Sequence, residues 1–221
     1  MSAPALTPRQ VLAASPLVSH GGVVVTRLVE PDEHARLAAE AWACRTTATT
    51  TRIDVAPADG EIRGQPARWL DSAVGGFELA AFFTGAPVLA LLATLTGLSW
   101  APLGNQGIYS YYRRPGHNLG LHRDAPDCTV AVITCLVDDG PDAGGDLVVY
   151  PGRAAARLAD IRRDPDTGAH QLRLEPGESA VLLGGLVPHR VTAVEQGRTR
   201  IVAPLCYRAA TARPRGLALS A

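Results

Sequence analysis

From Gly107 to Tyr207 the chain is a succession of short apolar and β-branched runs cut by Gly-, Pro- and Asp-rich turns. That punctuation leaves few folds open. The runs are Ile108–Arg113, Thr129–Val137, Asp146–Tyr150, Gln171–Leu174, Ser179–Leu183, His189–Val194 and Arg200–Tyr207. The turns between them include Arg114-Pro115-Gly116, Asp138–Gly145, Asp164–Gly168, Glu175–Glu178 and Glu195–Gly197. Leu119–His122 is an eighth candidate strand. Seven or eight short strands at this spacing read as a sandwich or barrel.

The chain before Gly107 has a different character. Gly22–Val29, with Val23, Val24 and Val25, reads as a strand. Pro31–Cys44 opens with Pro-Asp-Glu and carries Leu37, Ala38, Ala41 and Trp42, the pattern of an amphipathic helix with acid in its first turn. Thr46–Thr51 is a β-branched run and a candidate strand. Phe77–Phe83 and Pro87–Leu98 read as helices, the second stopped by Gly97. Ile62–Trp69 reads as a loop which, with Thr46–Thr51, forms a candidate lid. The expected fold is mixed α+β but mainly β. It is a double-stranded β-helix, or jelly-roll, over 107–208, braced by N-terminal helices and early strands within 1–106. Residues 209–221 read as a tail, and the 221 residues as a single domain, 1–221.

Composition excludes several functions. All 21 basic residues are arginine, so a lysine Schiff base and a Walker A lysine are absent. Formal net charge is zero with no basic stripe, which argues against a nucleic-acid partner. No uninterrupted apolar run reaches the ~18 residues of a membrane span, and Met1–Leu6 lacks the features of a signal peptide. Cys44, Cys128, Cys135 and Cys206 form no CxxC pair. They read as small buried hydrophobes in a reducing cytoplasm, without disulfides.

Two segments carry candidate chemistry. In His122-Arg123-Asp124, residues i and i+2 of an extended chain face the same way, so His122 and Asp124 can reach one point. His189, at the start of a distant strand, supplies a third ligand. Two histidines and one carboxylate with open positions form the facial triad of non-haem Fe(II) sites. Beyond the Gly197 turn lie Arg198 and Arg200, of the same strand parity. Either could clamp the far carboxylate of a chelating acid with a planar guanidinium.

Together these pieces resemble the Fe(II)/2-oxoglutarate-dependent dioxygenases, in their prolyl-4-hydroxylase-like branch. The matching segments are Tyr111–Gly116, His122-Arg123-Asp124, Gly144–Leu147, Glu175-Pro176-Gly177, Pro188–Val191 and Gly197–Arg200. The resemblance implies that His122, Asp124 and His189 hold Fe(II). It implies that Tyr112 and either Arg200 or Arg198 bind 2-oxoglutarate, with Arg200 preferred because it directly precedes the apolar run Ile201–Tyr207. Where many relatives carry the cationic residue, this chain has Thr199. Ascorbate is a candidate stimulant. The implied activity is hydroxylation of an unactivated C–H in a small molecule, amino acid or peptide, with O2 consumed and succinate and CO2 released. Desaturation and cyclisation begin from the same hydrogen abstraction. The alternatives are a cupin-like metalloenzyme needing no keto acid and a non-catalytic jelly-roll binding module. Aromatic content of 5% speaks against a large stacked substrate. Arg123 and Arg190 are expected to point away from the metal, and His20, His34, His117 and His170 to be exposed or in loops.

Overall fold

The computed structural model describes residues 7–55, 63–104, 106–139 and 144–210. Met1–Leu6, the centre of the Asp138–Gly145 turn, Ile62 and nearly all of the tail lie outside the described residues. The elements are α1 (Pro8–Ala13), α2 (Pro16–Ser19), β1 (Val23–Arg27), α3 (Pro31–Cys44), β2 (Thr49–Ile53), β3 (Arg68–Val74), α4 (Phe77–Thr84), α5 (Ala86–Thr96) and β4 (Trp100–Pro102). After these come β5 (Ile108–Tyr112), β6 (Asn118–His122), β7 (Val130–Asp138), β8 (Leu147–Val149), α6 (Leu158–Arg163), β9 (His170–Leu172), β10 (Glu178–Leu182), β11 (His189–Val191) and β12 (Arg200–Ala209).

The strands join in one antiparallel sheet in the order β1-β10-β7-β12-β5-β3-β6-β11-β8-β9, with β2 on β3 and β4 on β12. The sheet curls over itself as a jelly-roll, braced on one side by α3, α4 and α5. The expected mainly β fold is therefore observed, including the eighth strand at Leu119–His122. Besides the short α1 and α2, three elements escape the sequence reading. β3 covers Arg68 and Trp69, which read as loop, because the strand has no alternation of its own and is held by β5 and β6 on one edge and β2 beside it. Helix α6 is only six residues long. The short β4 forms solely by pairing with the end of β12.

Phe77–Thr96 is, contrary to the reading of the apolar runs, long and apolar enough to cross a membrane by length and composition. Its apolarity has another use here. Gly85 divides it into α4 and α5, and Leu79, Phe82, Phe83, Val88 and Leu92 are buried in the core. Helix α3 buries Leu37 and Ala41 as its pattern requires, while Trp42 stays 39% exposed beneath the Arg45 and Arg113 guanidiniums.

A carboxylate from α3 fastens α4. Glu40 accepts from the N–H groups of Gly76 at 3.0 Å, Glu78 at 2.8 Å and Leu79 at 3.0 Å, and from the Tyr109 hydroxyl at 2.7 Å. It thus caps a helix that has no capping side chain of its own. Burial alone would raise the Glu40 pKa, but the four hydrogen bonds outweigh it and hold the carboxyl below its ordinary 4.5. A depressed folded-state value stabilises the fold above the unfolded pKa and loses that contribution as pH falls through the folded one. Glu40→Gln is expected to lower neutral-pH stability by about 1–3 kcal/mol. The gap from wild type should narrow below about pH 4, measured as urea midpoints across pH. An unchanged gap in acid would show that charge is not what matters.

The four cysteines are not all free thiols. Cys128 and Cys206 form a disulfide that closes a separation of 78 residues, whereas Cys44 and Cys135 are free. Their distance in sequence conceals their contact. Cys206 pairs with Ala131 across β12 and β7, and Cys128 lies just before β7 begins, leaving their Cα atoms 5.1 Å apart. Closing so long a loop restricts the unfolded chain by about 4 kcal/mol.

Candidate metal centre and its cavity

His122 ends β6 and His189 begins β11, and the two are register partners across that strand pair. Asp124 follows as the chain leaves β6, its N–H fixed to the Gly184 carbonyl at 2.9 Å. The three side chains converge, with their ligand atoms within 4.8 Å of one another. Each imidazole is oriented from behind. Nδ1 of His122 lies 2.8 Å from the Gly120 carbonyl, and Nδ1 of His189 lies 3.0 Å from the Val187 carbonyl. A carbonyl only accepts, so each Nδ1 carries the proton and donates. Both Nε2 lone pairs are left facing Asp124 Oδ1, at 3.5 Å and 3.6 Å. This tautomer is the one a metal needs, and the backbone sets it in advance.

The electrostatics agree. Burial pushes the His122 pKa down, and the His189 ring adds to the effect. His122 is therefore kept neutral, as a ligand must be. Burial opposes ionisation of Asp124, but when an imidazole carries a proton at Nε2 its hydrogen bond and charge outweigh burial and hold the carboxyl well below the usual range. Gly184 makes room for this carboxylate, since a Cβ there would overlap Asp124 Oδ2. The carboxylate it accommodates lies sixty residues upstream in the chain.

The triad opens into a cavity of about 410 Å³ that also holds Tyr112, Arg68, Leu70, Ile133 and Val202 on its walls, with the Cys128–Cys206 bridge. Tyr112 faces inward and Tyr111 outward, where its hydroxyl donates to the Ala41 carbonyl at 2.7 Å. Tyr150 packs in the core and donates to the Pro165 carbonyl at 2.9 Å.

Arg198 and Arg200 are both 1% exposed. Neither is a surface side chain. Both pair with Asp138: Arg198 through Nη2, and Arg200 through Nη1 at 3.2 Å. Arg173 reaches the same carboxylate at 3.1 Å and Asp146 at 3.4 Å. Among the described residues three guanidiniums thus meet at Asp138 and Asp146. Nε and Nη1 of Arg198 are buried without an acceptor among the described residues. Arg200 is the register partner of Tyr112 across β12 and β5. Burial raises the Tyr112 pKa, and the Arg200 charge works against that rise. Neither guanidinium is part of the cavity wall itself; Tyr112 is.

Arg123 turns away from the metal, as strand parity requires. Its Nε donates to the Leu186 carbonyl at 2.9 Å, and its Nη2 to the Ala154 and Ala156 carbonyls at 2.8 Å each. His117 departs from expectation: it is fully buried, edge-on to Trp69, with Nδ1 3.1 Å from the Tyr111 carbonyl. His34 is likewise engaged, its Nε2 2.9 Å from the Leu136 carbonyl.

No protein-family model matches the chain, and no curated protein matches it. Solved structures do. A Pseudomonas putida prolyl-4-hydroxylase is 20% identical, with TM-score 0.58, covering 91% of this chain and 100% of its own. The epimerase SnoN of nogalamycin biosynthesis, in complex with Fe3+ and alpha-ketoglutarate, is 17% identical with TM-score 0.66, covering 96% of this chain and 89% of its own. A 2OG-Fe(II) oxygenase from Burkholderia pseudomallei is 13% identical with TM-score 0.59, covering 94% and 93%. At these identities the likeness is one of fold, and the chain has the jelly-roll fold found in 2-oxoglutarate- and iron-dependent oxygenases.

Proposed function

We propose that this protein is an Fe(II)- and 2-oxoglutarate-dependent oxygenase that hydroxylates an unactivated C–H of a small molecule, amino acid or peptide. The carrying observation is the convergence of two Nε2 lone pairs and Asp124 Oδ1 in a buried cavity, with both Nδ1 atoms already committed to carbonyls. Two nitrogens and one oxygen on one side of a site suit Fe(II) and leave positions open. When bound, the iron and 2-oxoglutarate supply O2 activation coupled to oxidative decarboxylation.

The chain's own residues prepare the site. His122, Asp124 and His189 hold the metal. The three guanidiniums gathered at Asp138, with the buried Nε and Nη1 of Arg198, suit a carboxylate at the inner end of the barrel. Arg200, beside Tyr112, is the proposed clamp for the distal carboxylate of 2-oxoglutarate. The largely apolar wall keeps water from the reacting carbon. Succinate and CO2 are the expected co-products.

Anaerobic addition of Fe(II) and 2-oxoglutarate is expected to produce the weak visible charge-transfer band of a chelated keto acid. A folded protein that binds Fe(II) but gives no such band would favour the second reading, a cupin-like metalloenzyme independent of 2-oxoglutarate. A protein that binds neither would favour a binding module.

A further inference from the structure

We infer that Arg68 receives a carboxylate on the substrate, so that the enzyme acts on an organic acid with a mainly apolar body; this rests on the oxygenase reading above. Arg68 begins β3 and shares inward parity with Leu70 and Ser72, all three lining the metal cavity. Apart from the metal-binding triad, it is the one charged side chain on that wall among the described residues. Its neighbours are committed. Arg52 pairs with Asp54 at 2.8 Å and covers the Trp69 ring, and Arg114 pairs with Asp71 at 3.4 Å. The Arg68 guanidinium has no hydrogen bond or ion pair with any described residue, its backbone alone being engaged, in the strand pairings. Among the described residues the one carboxylate facing the cavity is Asp124, whose Oδ1 is already turned toward both histidines.

A guanidinium beside an apolar cavity selects for an anion, and its planar fork suits a carboxylate. The remaining wall restricts the rest of the ligand. Leu70, Ile108, Ile133, Val202 and Pro204 offer apolar contact, and the polar groups beside them are mainly hydroxyls, as at Thr51 and Ser72. A second cation would find no partner, whereas an aliphatic chain would be covered. Arg68 also lies in register with Leu119, three residues before His122 on β6. That is roughly 10 Å along the strand, close enough for one small molecule to span both.

Arg68 could instead hold 2-oxoglutarate, and the test separates the two acids. Wild type and Arg68→Gln, each loaded anaerobically with Fe(II), are first titrated with 2-oxoglutarate by its charge-transfer band. The loaded proteins are then titrated calorimetrically with straight-chain carboxylates from butanoate to decanoate and with the matching amides. Wild type is expected to bind at least one carboxylate and to prefer it over its amide. Arg68→Gln should weaken that carboxylate about ten- to a hundredfold and remove the preference. Its 2-oxoglutarate affinity should stay within about twofold of wild type, well under the tenfold that one lost ionic contact produces. Equal binding of acid and amide, absence of binding to every acid, or an unchanged preference in Arg68→Gln would overturn the inference. So would loss of 2-oxoglutarate binding in the variant, which would assign Arg68 to the cofactor. Absence of the band in wild type would instead overturn the oxygenase reading itself.

Discussion

Replacing Asp124 with alanine is expected to abolish succinate formation and to weaken Fe(II) binding by more than about a hundredfold. Loss of an outer partner of a metal ligand alone lowers affinity about 10- to 100-fold, and here a ligand itself is removed. The carboxylate is the only anion on the triad. Without it, two neutral imidazoles remain, and a hard divalent cation loses its one charged oxygen donor. Gly184→Ala should act on the same group from the other side, because the new methyl would occupy the space of Asp124 Oδ2. It should reduce Fe(II) affinity while every ligand is still present. Equilibrium dialysis with Fe(II) under anaerobic conditions, together with circular dichroism to confirm folding, measures both variants. His170→Ala is the suitable control because His170 is exposed. His117, buried against Trp69, is not. Wild-type Fe(II) affinity in a folded Asp124→Ala protein would remove Asp124 from the metal site.

What could be read in advance divides by the range of the interaction. His122 and Asp124 are two apart on an extended segment, so one local rule places both side chains on one side. His189 is legible because it opens a strand whose apolar run and Pro188 are themselves local signals. The turns between strands are equally local. The missed features all depend on partners distant in the chain. Cys128 and Cys206 meet only because β7 and β12 pair. Glu40 caps a helix beginning 37 residues later, and no capping motif spans that gap. β3 is a strand because β5 and β6 offer it edges, and Arg68 consequently lines a cavity instead of a surface loop. His117 looked like an exposed turn residue after Pro115-Gly116, yet Trp69 arrives from β3 to cover it. Arg198 is the clearest case. Its sequence context is a polar turn, and only the approach of Asp138 from β7 explains a buried guanidinium there.

The choice between Arg198 and Arg200 carries the second large effect. Arg200→Gln is expected to weaken 2-oxoglutarate by about ten- to a hundredfold, the range for losing a hydrogen-bonded charge. Fe(II) affinity measured without the keto acid should remain near wild type, since Arg200 touches no metal ligand. The reason is position. Arg200 is the register partner of Tyr112, whose neighbours Ile133 and Val202 line the same cavity. Arg198 lies in the turn just before β12, fully buried against Asp138. Arg198→Gln should therefore act mainly through Asp138, by removing one of the three guanidiniums that neutralise it. Its expected signature is lower stability, about 3–5 kcal/mol for breaking a buried pair, with a smaller loss of 2-oxoglutarate affinity. Titration of the charge-transfer band measures the affinity of each variant, and urea denaturation measures its stability. If Arg198→Gln lost the keto acid while Arg200→Gln kept it, Nε and Nη1 of Arg198 would be the acceptor's true partners, and Arg200 would be the one holding Asp138. The Arg200→Lys variant separates charge from shape. A point charge on a flexible stem cannot reproduce two parallel N–H bonds, so it should recover only part of the affinity lost in Arg200→Gln.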